Sequence, residues 1–323
     1  IYVIEYSLLV VHMRWYVVLA IVLGVIGVTV FVLTYMIFAA QGLQLIPYVA
    51  VIKLRGTISY SKTGLFTTTI TSDDVRYLVN KVLSDPQAKA VVVVINSPGG
   101  SASASEEIYE LLSKLSKHKP VIAYCEDVMA SGGYYIALPA KKIVASPHCM
   151  TGSIGAIAIF FDIHNLLEKL GINVTTVKSG EYKDIGSSFR SLKSDELRII
   201  GDIVNKTAQI FRERVMMCRP NVDQSVFNAQ IFIAEDALRY GLIDYIGTFD
   251  DAVEIARELG GLPPTAPIRE ITKPKSILEL LLGLASLNHG ELAKSLLKPG
   301  VYYLWTGGLN VNLEMLSDYL MIH

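Results

Sequence analysis

Several common ways of building or powering a protein are missing from this sequence. Cysteine is scarce: Cys125, Cys149 and Cys218 are far apart, odd in number and without metal-ligand spacing. They predict neither a disulfide framework nor a zinc site, and Cys125, inside an apolar run, reads as core. A surplus of basic charge is missing too, with 29 Lys and Arg against 30 Asp and Glu and no basic cluster interleaved with aromatics. No nucleic-acid partner is therefore expected. Among six histidines none stands in a catalytic motif. Only His148, beside Pro147 at a strand end, is a candidate base. The glycine-rich stretches have neither the Lys-Ser/Thr of a phosphate-binding loop nor the spacing of a dinucleotide fingerprint. No cofactor or metal is expected.

Hydrophobic residues are abundant, at 51% of the chain, and much of the excess lies in Trp15 to Ala40, where no charge occurs. As a helix this run would reach about 39 Å, enough to cross a bilayer core of about 30 Å with some tilt. A cleaved signal peptide would have an apolar stretch of only about 7–15 residues and small residues before the cut. Ile37 and Phe38 suit such a cut poorly, so residues 15–40 read as a transmembrane anchor in contact with lipid. Arg14 and His12 precede the span, and no charge follows it before Lys53. The excess of positive charge places the N-terminus in the cytoplasm and the bulk of the chain outside it. Met13-Arg14 looks like a natural start, so residues 1–12 of the 1–14 tail are expected to be non-native.

After a short linker, β-prone and helical patterns alternate. Val49 to Ile52 opens a strand. Thr71-Ser72-Asp73-Asp74 caps a helix that carries Val75, Leu78, Val79 and Val82. Ala90 to Ile95 is a continuous run typical of a strand buried on both faces, ending at Asn96-Ser97-Pro98-Gly99-Gly100. A helix from about Ser105 to Lys117 follows, then a strand from Val121 to Cys125. Lys142–Ala145, Ala156–Phe161 and Val174–Val177 read as strands. Asn165–Leu170 and Ser194 to about Met217 read as helices. Alternation of this kind predicts an α/β layered domain with a largely parallel sheet.

The stretch around Met129-Ala130-Ser131-Gly132-Gly133 joins a strand to an apolar helix. Two readings fit Ser131: a helix cap, or a nucleophile lifted out of the sheet where glycine lets a substrate approach. A nucleophile needs oxyanion donors, and the N–H groups of Gly100 and Gly132 are the candidates. It also needs a base. A lysine serves if burial lowers its pKa from about 10.4 to about 7–8. Lys183 lies in the glycine-bounded turn Ser179-Gly180-Glu181-Tyr182-Lys183-Asp184-Ile185-Gly186. Glu181 and Asp184 would raise its pKa unless both point away.

Four ordered motifs, Asn96-Ser97-Pro98-Gly99-Gly100, Ala130-Ser131-Gly132-Gly133-Tyr134-Tyr135, Thr151-Gly152-Ser153-Ile154-Gly155 and Lys183-Asp184-Ile185-Gly186, together resemble the signal peptide peptidase A family, serine peptidase family S49. The likeness runs from about Val49 to Gly260, including Ala237 to Asp244. With no second copy of the motifs, it is to a single-repeat member. The resemblance implies a Clp/crotonase-like fold, Ser131 as nucleophile, Lys183 as general base and Ser153 as the residue that orients the lysine amine. It implies a ring-like homo-oligomer in which Ser131 and Lys183 of one site come from neighbouring protomers. Hydrophobic peptides such as signal-peptide remnants are the implied substrates. His148-Cys149-Met150 and Ala234-Glu235 depart from the family pattern. A related membrane-bound Clp-class peptidase with one partner protein, or a crotonase-like acyl-thioester enzyme, remains an alternative. The expected organisation is a tail (1–14), an anchor (15–40), a peptidase domain (41–260) and a helical extension (261–323). In that extension, Ser276 to Leu297 reads as two packed helices and Tyr302 to Trp305 as buried.

Overall fold

The computed structural model describes residues 19–36, 46–61, 68–274 and 301–304, and the chain divides into two units, Ile1–Pro47 and Tyr48–His323. The described part of the first unit is helix α1 (Leu19–Met36), 18 residues with a mean hydropathy of 2.5 and no buried side chains. It is long and apolar enough to cross a membrane. The flanks of the expected 15–40 span fall outside the described residues.

The second unit opens with β1 (Tyr48–Arg55), β2 (Thr57–Ser59), β3 (Thr69–Thr71) and helix α2 (Ser72–Ser84). Strand β4 (Ala88–Ser97), β5 (Gly99–Ser101), α3 (Ala102–His118), β6 (Val121–Ala130) and α4 (Gly132–Ala137) follow. Next come β7 (Lys142–Ala145), β8 (Met150–Gly152), β9 (Ile157–Ala158), α5 (His164–Lys169) and α6 (Ser194–Cys218). The described residues end with β10 (Ile231–Ile233), α7 (Ala234–Arg239), β11 (Tyr245–Ile246), α8 (Phe249–Leu259), β12 (Ile268–Glu270) and β13 (Val301–Leu304).

The main sheet runs β10-β8-β6-β4-β1-β12, with β7 on β6 and β11 on β7. Every pairing in it is parallel except β10 with β8. The fold is thus the expected α/β architecture with a largely parallel sheet. The β-branched run of β4 is a strand because both of its faces are covered. Val91, Val93 and Ile95 join Ala50, Ile52 and Leu54 under α2, α3 and α4. Ala90, Val92 and Val94 join Val49 and Val51 under Ala252, Val253 and Ala256 of α8. Each large aliphatic side chain fully buried in this way contributes about 1.5–3 kcal/mol. Thr71 caps α2 by accepting a hydrogen bond from the Asp74 N–H at 3.1 Å.

A second, smaller sheet has the order β3-β2-β5-β13-β9. It lies along the end of β4, because β5 begins two residues after β4 stops.

Several expectations change. Cys125 and Cys149 form a disulfide with Cα atoms 6.1 Å apart, whereas the sequence suggested no bridge. Their separation of 24 residues carries no local signal; they meet because β6 pairs with both β7 and β8. Strand β6 runs on to Ala130, five residues past the expected end at Cys125. Helix α3 starts at Ala102, capped by Ser101, and not near Ser105. The strand expected over Ala156–Phe161 shrinks to Ile157–Ala158. Val174–Val177 forms no strand, and Val177 is 94% exposed. Without a neighbouring strand, β propensity alone does not make one. The boundary expected at 260 falls before the last strand of the main sheet, since β12 pairs with β1. Beyond it the described residues carry β12 and β13, and the helices expected over 276–297 lie outside the described residues.

Candidate active site

Strand β6 has two successive partners on one edge. Residues Ile122 to Cys125 pair with β7, and Val128 to Ala130 pair with β8. The last pair is Ala130 with Gly152, which brings the Ala130-Ser131-Gly132 and Thr151-Gly152-Ser153 turns side by side. The Ser131 N–H donates to the Gly152 carbonyl at 2.8 Å, and the Thr151 hydroxyl donates to the Met129 carbonyl at 2.6 Å. On the other edge of β6, Ser97 of β4 lies opposite Met129. A Cβ on Gly133 would stand 2.4 Å from the Ser97 carbonyl oxygen, so only glycine fits there.

These contacts hold Ser131 at φ 53° and ψ −119°, backbone angles that a non-glycine residue seldom adopts. Such strain costs of the order of 1–3 kcal/mol and persists where the surroundings over-determine it. The residue is 1% exposed. Its carbonyl accepts from the Tyr135 N–H at 2.9 Å, so its backbone is pinned on both sides. Its hydroxyl does not cap α4 and has no hydrogen bond among the described residues. Of the two readings of Ser131, the helix cap is therefore the one the geometry removes. A sharp, strained strand-to-helix turn that presents a serine hydroxyl is the arrangement of a nucleophile elbow.

Gly132 is the first residue of α4, so its N–H has no intrahelical acceptor. Gly100 lies in β5, where a Cβ would stand 2.0 Å from the Ile58 carbonyl oxygen of β2. The turn leading to it is tied by the Gly99 N–H, which donates to the Ser97 hydroxyl at 3.2 Å. Helix α4 packs on both β4 and β5. The Gly100 strand and the Ser131 turn therefore occupy one end of the main sheet. Ser153 belongs to the same end. It also has a positive φ of 52°, is buried, and donates its N–H to the Gln230 carbonyl at 2.8 Å.

Lys183 is placed differently. It is exposed, and its amine has no hydrogen bond or ion pair among the described residues. Its acidic neighbour Asp184 is turned to other cations, accepting from Arg190 at 2.8 and 2.9 Å and from Lys178 at 2.6 Å. Those bonds, Arg190 first, hold the Asp184 carboxyl well below the usual range. Arg190 also binds the buried Glu196 at 2.6 and 2.8 Å, which pulls that carboxyl down to about 2. The Asp184 carboxylate is thus engaged by Arg190 and Lys178. Ser131, Ser153, Gly132 and Gly100 are brought together within the chain, while no contact in the structure joins Lys183 to them.

His148 is exposed, in the turn before β8. Ser131 lies beyond the opposite end of that strand, roughly 13 Å along it at strand rise. Within one chain His148 is not a base for Ser131. The sequence reading missed the Thr151 bond to β6 and the close packing of Gly133 on Ser97. The Thr in Thr151-Gly152-Ser153 and the paired glycines were their only signals.

The family model for peptidase family S49 matches residues 113–262, and a Clp protease model matches residues 62–152. A protein of Synechocystis that bears a protease name is 36% identical over 207 residues, covering 63% of this chain and 75% of that relative. The chain belongs to peptidase family S49. The chloroplastic serine protease SPPA of Arabidopsis thaliana is 33% identical over 247 residues, which cover 74% of this chain and 36% of that one. A Methanocaldococcus jannaschii protein with a protease name is 38% identical over 195 residues, 58% of this chain and 63% of that one. The chain thus spans less than two thirds of the length of these last two relatives. The solved structure of a 1510-N membrane-bound stomatin-specific protease matches with a TM-score of 0.43 and 15% identity, covering 71% of this chain and 99% of that one.

Proposed function

We propose that this S49 protein is a membrane-anchored serine endopeptidase that cleaves hydrophobic peptides with a Ser131–Lys183 dyad. The observation that carries the reading is the Ser131 hydroxyl, which makes no hydrogen bond among the described residues, in a strained turn that the backbone fixes on both sides. In this mechanism Lys183, as the neutral amine, takes the hydroxyl proton while Ser131 Oγ attacks the peptide carbonyl carbon. The N–H groups of Gly100 and Gly132 stabilise the oxyanion, each such donor being worth about 10²–10³ in rate. The lysine ammonium gives its proton to the leaving amine, and water then releases the acyl group from Ser131. Ser153 orients the lysine amine.

The exposed position of Lys183 fits a base supplied to a neighbouring copy of the chain. The arm between β9 and α6 leaves Phe161, Leu170, Ile172, Val177 and Phe189 exposed, an apolar surface that monomers seldom leave in water. A second copy covering the arm would bury Lys183 among apolar side chains. Helix α1 is the membrane anchor. The Cys125–Cys149 bridge favours an oxidising compartment, in line with a catalytic domain outside the cytoplasm and a cytoplasmic N-terminus.

The deciding experiment is labelling with a fluorophosphonate. Wild type should label and Ser131→Ala should not. Equal labelling of both, or of neither, removes Ser131 as the nucleophile.

A further inference from the structure

Helix α4 is six residues long, too short to hold its own shape in water. Its place, and with it the turn at Ser131, depends on what its side chains grip. Its sequence, Gly-Gly-Tyr-Tyr-Ile-Ala, offers two polar side-chain atoms, the hydroxyls of Tyr134 and Tyr135. Both tyrosines are fully buried. The Tyr134 hydroxyl donates to the Leu242 carbonyl at 2.7 Å, a neutral bond to backbone. The Tyr135 hydroxyl instead donates to Oε2 of the Glu106 carboxylate on α3. Glu106 Oε1 accepts from Nη2 of Arg214 on α6 at 2.6 Å. Three helices thus meet at one carboxylate.

Tyr135 also touches the nucleophile's own backbone. Its N–H donates to the Ser131 carbonyl at 2.9 Å. Its ring lies edge-on to Tyr109 of α3 at 5.5 Å and to Phe211 of α6 at 4.9 Å. Ring and hydroxyl therefore have separate tasks: the ring fills space between two helices, and the hydroxyl sets the direction in which α4 points. A hydrogen bond to a carboxylate is about twice as strong as a neutral one. Arg214 steadies that carboxylate from the far side, with its Cζ 4.8 Å from the centre of the Tyr109 ring and Nη2 also 3.3 Å from Glu110 Oε1. The contacts of Glu106 run to Tyr135 and Arg214, so an effect on the reaction would pass through α4.

We propose that Glu106, held by Arg214, is a positioning residue for the nucleophile: through the Tyr135 hydroxyl it fixes the direction of α4 and so keeps Ser131 in its strained turn. The proposal rests on the reading of Ser131 as the nucleophile. Backbone angles such as those of Ser131 persist only where the surroundings over-determine them. The Ser131 N–H is fixed by Gly152 and its carbonyl by Tyr135, and the carboxylate fixes Tyr135 in turn. Misplacing a reacting group by about 1 Å can cost on the order of 10²-fold in rate. A small rotation of α4 would therefore show in turnover before it shows in substrate binding. Arg214 lies on the helix that follows the Lys183 arm, so the same ion pair joins the seat of the nucleophile to the root of that arm.

The test compares the full-length chain in detergent with Tyr135→Phe, Glu106→Ala and Glu106→Gln. The first keeps the ring and loses the hydroxyl, the second removes the acceptor, and the third keeps an acceptor without the charge. Arg76→Ala is the control, because it breaks the ion pair between α2 and Glu107, the next residue of α3, and leaves α4 alone. On a hydrophobic peptide reporter, Tyr135→Phe and Glu106→Ala should lower kcat about tenfold or more with KM within about twofold. Glu106→Gln should restore kcat to within about threefold of wild type, and Arg76→Ala should match wild type. Fluorophosphonate labelling of Ser131 should slow in the same order. The proposal is overturned if kcat stays within about twofold of wild type in Tyr135→Phe and Glu106→Ala. A loss that Glu106→Gln does not rescue, or that Arg76→Ala shares, is a general loss of structure and overturns it as well. Amide exchange over residues 132–137 tells its failure from that of the peptidase reading. If wild type resists fluorophosphonate while those amides exchange faster in Tyr135→Phe, the tie to α4 exists but has no nucleophile to position. If wild type labels and the variants label as fast, the nucleophile stands without the positioning residue.

Discussion

The turns that carry Ser131 and Lys183 are built on opposite principles. The Ser131 turn is buried, strained and held by partners on two strands: Thr151 and Gly152 of β8 and Ser97 of β4. The Lys183 turn lies on an exposed arm, and its best-made contacts, from Asp184 to Arg190 and Lys178, belong to its neighbour and leave the lysine alone. A nucleophile has to be placed with precision by its own chain. Under the proposed dyad, a base that works for another copy has only to be presented, and the copy that receives it supplies the burial.

The largest effects should separate the two turns by chemistry. Ser131→Ala should lower turnover of a hydrophobic peptide reporter to background, a loss of about 10⁴-fold or more. Lys183→Ala should cost on the order of 10³-fold while leaving the thermal midpoint within a degree or two, because the lysine makes no hydrogen bond or ion pair among the described residues. Mixing the two inactive proteins sharpens the contrast. If neighbours share sites, about a quarter of the sites in a randomly mixed assembly regain both residues. If activity stays at background after exchange of subunits has been verified, the dyad is not shared.

Stability changes come next and should fall on the Ser131 side. Cys149→Ser opens the bridge that anchors the segment leading into β8, and should cost about 3 kcal/mol for a loop of this length, read from denaturant midpoints. Gly133→Ala forces a methyl against the Ser97 carbonyl and should cost about 1–3 kcal/mol, with Ser131 labelling slowed as the turn shifts. A loss of stability without slower labelling would mean that the turn tolerates displacement.

The smallest effect should appear on the arm. The Glu196 carboxyl is held down at about 2 and that of Asp184 is lowered as well, both chiefly by Arg190. Carboxyls depressed in the folded state stabilise it above their unfolded pKa, about 4, and lose that contribution as pH falls through the folded value. Between pH 4 and 2 amide exchange should therefore rise first across residues 178–196, while Gly132 to Ala137 stays protected. Simultaneous loosening of both regions would show that the arm has no separate stability.

What could be read in the sequence was local. The Thr71 cap, the two-faced β4 run and the paired glycines at 99–100 and 132–133 act within a few residues, and each was placed where it is found. The Cys125–Cys149 bridge was not legible, because only the pairing of β6 with both β7 and β8 brings the two cysteines together. Val174–Val177 misled for the complementary reason, since β-branched residues without a strand beside them stay extended and exposed. The free hydroxyl of Ser131 depended on backbone angles that its composition, a serine before two glycines, did not distinguish from a helix cap.

The position of β13 in the chain also imposes an order of events. It is synthesised after every other described strand, yet its place lies between β5 and β9, both made long before it. The strand that joins β5 to β9 is therefore absent from the small sheet until the last described residues have been made. Until then one edge of β5 and the edge of β9 lack the partner that the finished sheet gives them, and an unpaired strand edge is a template for any extended segment.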